Sequence, residues 1–167
     1  TLAAPLRQWL TQISVPQMGQ GFERVFDFVY DDSAGARAPL SQLATTYFGS
    51  GTGHLFARSS WATDATWVGF NMGPYTESHA HQDQLSLLLF AGRWQAYDAN
   101  VESHSGIVQD TRAHNLVRIE RGGTVLPQRE GNSSQVLALA DTAQFAYAAA
   151  DATAVYGANS GVNRVQR

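Results

Sequence analysis

From residue 45 onward the chain is divided into apolar runs of four to seven residues, most of them closed by glycine, aspartate, asparagine or serine. A run that short cannot complete three helical turns, but it does fill a strand. The runs are Thr45–Phe48, His54–Ser59, Ala65–Asn71, Leu85–Ala91, Leu116–Glu120, Gln135–Ala140, Ala143–Ala149 and Thr153–Tyr156, with Arg93–Asp98 returning from the turn at Gly92. Strands at this spacing, with no helices between them, predict an all-β antiparallel sandwich or barrel. Leu85–Ala91 is nearly all apolar, as expected of a central strand buried on both faces. Asn163–Arg167 reads as the beginning of a further strand.

The first forty residues differ. Leu6, Leu10 and Ile13 recur at helical spacing, which predicts one short helix over Leu2–Ile13, stopped by Val15-Pro16. An aromatic and aliphatic segment follows from Phe22 to Tyr30. The expected division is therefore residues 1–40 as helix and linker and residues 41–167 as the β domain, a size that suits one core. A net charge of −3 supplies no basic field for nucleic acid, and no run approaches the ~20 apolar residues of a membrane span. Cysteine is absent, which removes disulfides and thiolate zinc sites together. The opening Thr1-Leu2-Ala3-Ala4 has no basic region of a signal peptide, and a start without Met is expected of an excised piece.

The chemistry concentrates in five histidines, at 54, 79, 81, 104 and 114. On a strand, residues i and i+2 share a face, so His79 and His81 are expected to project side by side, with Glu77 and Asp83 at the same parity. One metal could hold both, or hold one while the other does chemistry. Imidazole and carboxylate suit zinc, and three protein ligands are usual at a reactive zinc site. If Ala91-Gly92 is a two-residue turn, Asp98 falls opposite Leu85, still about 13 Å along the strand from His81. A bulge or looser pairing is then needed. His114, opening an expected strand His114–Val117, would arrive from a neighbour. The plain alternative is a set of half-buried, hydrogen-bonded histidines at strand starts. Trp61, Trp67, Trp94 and Tyr97 form either core or a sugar-stacking platform.

Two families share parts of this pattern. Gly73, His79, His81 and Gly92 match the spacing of a cupin metal motif, but Leu85 and Ser86 stand where its glutamate belongs. The other match is longer. The run Gly53–Trp61, then Ser78-His79-Ala80-His81-Gln82-Asp83-Gln84-Leu85-Ser86, then Gly92–Asp98, then Ala113-His114-Asn115-Leu116-Val117, with Ala154-Val155-Tyr156 and Arg164 beyond, resembles the heparinase II/III-like polysaccharide lyases over residues 45–167.

That resemblance implies an antiparallel β-sandwich preceded by an α/α toroid, of which the short N-terminal helix would be the last remnant. It implies cleavage of an acidic, uronate-containing polysaccharide by β-elimination, in a periplasmic or secreted setting. It further implies that His79 is the catalytic histidine and that His81, Asp98 and His114 hold a chiefly structural zinc ion. The toroid would supply the rest of the active site. Arg58 and Arg112 are candidate cations for the substrate carboxylate, and Asn115 a candidate partner of His114. The alternative class is a non-catalytic carbohydrate-binding β-sandwich, or a cupin-like metal-dependent protein.

Overall fold

The computed structural model describes residues 3–9, 34–76, 80–99 and 108–167, and divides into two compact units, residues 1–45 and 46–167. In the first unit, helix α1 spans Ala3–Trp9. The Ala38 N–H donates to the Ala4 carbonyl at 3.2 Å and the Arg7 guanidinium to the Ala36 carbonyl at 3.2 Å. The rest of the expected helix, and the aromatic segment Phe22–Tyr30, lie outside the described residues.

The second unit is built of antiparallel strands. They are β1 (Thr46–Gly49), β2 (His54–Arg58), β3 (Trp67–Asn71), β4 (Pro74–Tyr75), β5 (Leu87–Phe90), β6 (Trp94–Ala96), β7 (Glu120–Arg121), β8 (Thr124–Val125), β9 (Asn132–Ser133), β10 (Gln135–Asp141) and β11 (Ala146–Asp151). Five of them form one sheet in the order β1-β2-β3-β5-β6. Its register explains the core. Phe48 lies opposite Leu55, Leu55 opposite Phe70, and Phe70 opposite Leu87. Strict alternation puts this cross-strand row on one face, and it packs with Met72, Tyr75 and Leu85 against Val136, Ala148, Ala150, Ala152 and Val155. The β10–β11 hairpin thus forms the second layer. Fully burying a large apolar side chain, as at Leu55 and Phe70, is worth roughly 1.5–3 kcal/mol. The fold is the expected all-β antiparallel sandwich.

The chain's tail adds to the second layer. Ala150 and Arg167 exchange backbone hydrogen bonds of 2.9 and 3.1 Å, and the Ala152 N–H donates to the Val165 carbonyl at 2.9 Å. One close approach joins the β1–β2 turn to the link between β3 and β4. A Cβ added at Gly53 would stand 2.0 Å from the Gly73 Cα, and one added at Gly73 would stand 2.0 Å from the Thr52 carbonyl oxygen. Only glycine fits at either position.

Three expected strands and one turn differ. Thr153–Tyr156 is a 3-10 turn, because it must bury Val155 and Tyr156 in succession, which an alternating strand cannot do. Of Leu116–Glu120 only Glu120 lies in a strand, the first residue of β7. Leu85–Ala91 shortens to Leu87–Phe90, since Leu85 has φ 67° and breaks the extended backbone. All four residues of β5 are half-buried rather than buried on both faces. The β5–β6 turn takes three residues, not two. Phe90 pairs with Trp94, the Ala91 N–H bonds the Arg93 carbonyl at 2.9 Å, and Gly92 has φ 70°.

Candidate metal and catalytic site

The segment from Ala80 to Ser86 approaches β5 as a turn. The Ser86 N–H donates to the Asp83 carbonyl at 2.8 Å, and the Leu85 N–H to the Asn71 carbonyl at 2.9 Å. His81 is therefore not on a strand, and the side-by-side argument for the His-x-His pair does not govern it. His79, expected as the catalytic histidine, lies outside the described residues, as do Glu77 and His104.

His114 also sits off the strands. It caps the 3-10 turn Thr111–Ala113, which begins with the Asp110 carboxylate accepting the Arg112 N–H at 2.9 Å. Three backbone hydrogen bonds fix this segment from three directions. The Gln82 N–H donates to the Gln109 carbonyl at 2.8 Å, the Ala99 N–H to the Ala113 carbonyl at 2.7 Å, and the Leu87 N–H to the Asn115 carbonyl at 3.0 Å. These bonds set His114 beside both His81 and Asp98. Strand register plays no part in it. The pairing of Leu89 with Ala96 ends β6 before Asp98 is reached, with a register shift next to it.

The three residues expected to bind metal do converge. The Asp98 carboxylate is hydrogen-bonded to His114 Nδ1, and the rings of His81 and His114 stand 5.1 Å apart at 46°. The His114 side chain is fully buried, and its Nε2 has no hydrogen-bond partner among the described residues. A buried polar atom left unpaired costs about 1–3 kcal/mol, so this nitrogen calls for a ligand or donor. Two imidazoles and a carboxylate are a zinc-type donor set. Among the described residues, however, no group of three or more His, Cys, Asp or Glu side chains is arranged to hold a metal ion. A metal shared by Asp98 and His114 must open their direct hydrogen bond.

Asp83 borders the pair. Its carboxylate accepts from the Asn71 side-chain amide at 2.7 Å. Burial raises its pKa above the ordinary carboxylate value, while His114, His81 and His54 oppose that rise.

The scaffold beneath this loop was not evident from motifs. The Gln128 side chain binds both backbone groups of Gln84, accepting its N–H at 2.9 Å and donating to its carbonyl at 3.0 Å. The Gln128 N–H donates in turn to the Gln82 side chain at 3.1 Å, and Ser134 donates to the Gln84 side chain at 2.7 Å. Gln84, Gln128 and Ser134 are all buried. The one available signal was polarity: Gln82-Asp83-Gln84 leads directly into an apolar strand. Arg167 contributes from the tail, donating to the Leu85 carbonyl at 3.2 Å, the Asn115 carbonyl at 2.8 Å and the Asn115 side-chain oxygen at 3.3 Å. Asn115, expected to orient His114, is bound to Arg167 instead.

The two candidate cations have other partners. Arg58 lies 4.3 Å over the Trp61 ring and donates to the Ser60 and Ala62 carbonyls. Arg112 pairs with Asp110 at 2.8 Å. Trp67, Trp94 and Tyr97 gather on the outer face of the large sheet, where Trp67 and Trp94 meet edge to face at 5.0 Å and Tyr97 lies 6.2 Å from Trp94.

Among the described residues, no helix is long and apolar enough to cross a membrane. No protein-family model and no curated protein matches the chain. Solved structures do. A heparinase III structure with methylated lysines overlays with a TM-score of 0.55 at 14% identity, covering 78% of this chain and 22% of its own. A second heparinase III structure gives 0.53 at 17% identity, over 87% of this chain and 22% of that one. The heparan sulfate lyase HepC from Pedobacter heparinus gives 0.49 at 20% identity, over 87% and 23%. The two heparinase III overlays establish that the chain has the fold of the heparinase β-sandwich domain, as the sequence resemblance implied. The chain spans 22% of the length of the heparinase III structures it matches.

Proposed function

We propose that this chain is the β domain of a polysaccharide lyase that cleaves a uronate-containing polysaccharide by β-elimination. The observation that carries the reading is the convergence of His81, Asp98 and His114, with an unpaired buried nitrogen, inside a heparinase-like sandwich. The two heparinase III structures it overlays make heparin-like polysaccharides the substrate class to try first.

In this reading His81, Asp98 and His114 hold zinc. The ion would supply fixed geometry, joining the turn before β5 to the turn after Thr111. His79, two residues before His81, would then face the substrate. Elimination removes the C5 proton beside the uronate carboxylate and expels the 4-linked oxygen. The carboxylate's charge must be offset as the enolate develops, and a histidine can hold or move a proton near neutral pH. The remaining catalytic groups would come from an α/α toroid outside this sequence, and a periplasmic or secreted setting accompanies the reading.

The test has two parts. Zinc content is measured on the wild type, His81→Ala and His79→Ala. Loss confined to His81→Ala supports the division of roles; equal loss from both variants points to a His-x-His chelate. Activity is then followed as absorbance of the unsaturated uronate product, for this chain and for a protein that also carries the toroid. Full activity from the 167 residues alone overturns the proposed sharing of the active site.

A second reading, a carbohydrate-binding sandwich without catalysis, draws on the cluster of Trp67, Trp94 and Tyr97 on the outer sheet face. Glycan binding that survives His79→Ala and His81→Ala, but is lost on Trp94→Ala, would favour it.

A further inference from the structure

Two separate turns carry the histidines, and one side chain fastens both. The Arg167 guanidinium donates to the carbonyl of Leu85, four residues after His81, and to both oxygens of Asn115, the residue after His114. Arg167 is itself anchored through its backbone to Ala150 in β11, whose side chain is completely buried in the core. A planar guanidinium with several donors in a fixed fork is the side chain suited to holding three oxygens at once. The carbonyl it holds belongs to the one non-glycine residue with positive φ among those described. Such a backbone persists only when its surroundings fix it.

We propose that Arg167 is a positioning residue, which sets the separation of the His81 and His114 imidazoles by cross-linking the backbones of their two turns. It touches neither ring, and its effect runs through Leu85 and Asn115. The consequence for metal binding rests on the zinc reading above; the consequence for ring placement does not.

The experiment compares wild type, Arg167→Ala and Arg167→Lys, with Arg164→Ala as a control, because Arg164 hydrogen-bonds Gln166 instead of the two turns. Two quantities are measured on folded protein: zinc affinity by competition with a chromophoric chelator, and the ring proton resonances of His81, His114 and His54 in metal-free protein. Arg167→Ala is expected to weaken zinc binding about ten- to a hundredfold, the usual effect of removing a group that orients metal ligands. It should also move the His81 and His114 resonances while leaving those of His54, on β2, in place. Arg167→Lys, with one compact charge in place of the fork, should fall between, and Arg164→Ala should match wild type. If Arg167→Ala does not fold, the Lys variant with Asn115→Ala carries the same comparison. Unchanged His81 and His114 resonances in folded Arg167 variants overturn the proposal. Failure of the wild type to take up zinc would overturn the metal reading alone, since the ring resonances still decide the role of Arg167.

Discussion

Asp98 and His114 are hydrogen-bonded through the His114 Nδ1, and the opposite nitrogen of the same ring is buried with no hydrogen-bond partner among the described residues. The carboxylate thereby fixes the orientation of the ring. Asp98→Asn keeps the shape and removes the charge. It is expected to cost about 1.5–3 kcal/mol in urea unfolding of metal-free protein, the range for a hydrogen bond to a charged group. Stability equal to wild type would show that the pair contributes nothing to the fold.

Leu85 combines a core side chain with φ 67°. Leu85→Ala keeps the strained backbone and removes the packing, at about 2–5 kcal/mol. Leu85→Gly removes the packing too, but relieves a left-handed conformation that costs other residues roughly 1–2 kcal/mol. The glycine variant should therefore be at least as stable as the alanine variant, reversing the usual order. Denaturant midpoints of the two proteins decide it.

Gln128→Ala would leave the buried N–H and carbonyl of Gln84 without their partner. Each unpaired group costs about 1–3 kcal/mol. Hydrogen exchange should quicken at the Gln84 amide before it does at the central strands. Uniform loss of protection across β2, β3 and β5 would argue against a local clamp.

Gly53 and Gly73 approach so closely that alanine at either position must push backbone apart. Gly53→Ala adds left-handed strain at φ 70°. Each substitution is expected to cost about 3 kcal/mol or more, at the upper end for overpacking. Thermal unfolding within a few degrees of wild type would contradict the contact.

Asp151 is held below the ordinary carboxylate range, first by the Thr153 side chain, which burial opposes, and then by the Thr153 N–H, Gln166 and the charge of Arg164. A lowered folded pKa means that its contribution is present above the ordinary aspartate value of 3.8 and is lost as the pH falls below it. Asp151→Asn should flatten that part of the acid-unfolding curve. An unchanged curve would exclude Asp151 as a contributor to acid stability.

The sequence made the sandwich legible because Phe48, Leu55, Phe70 and Leu87 stand in short apolar segments bounded by turn residues. It pointed to His81, Asp98 and His114 through a motif; the register shift between β5 and β6 agrees with the bulge that strand spacing required for Asp98, whereas His81 and His114 are not placed by strands. His114 lies on a 3-10 turn, the β5–β6 turn has three residues, and Leu85 reverses the backbone. None of these follows from hydrophobic periodicity, because each depends on hydrogen bonds between segments distant in the chain. Gln128 and Arg167 were hidden for the same reason. Their partners are backbone carbonyls and amides, and a backbone group leaves no mark on the residue that bears it.

The turn that carries His114 is held at Gln109, Ala113 and Asn115 through main-chain carbonyls. Such an address does not depend on which side chains stand at those positions. A residue such as Arg112, with 70% of its side chain exposed, is free to vary for charge or solubility without displacing the imidazole. Change in chain length is another matter: one residue inserted between Asp110 and His114 would rotate the histidine out of its socket. Mutational scans of this stretch should therefore tolerate substitution at exposed Arg112 and reject insertion.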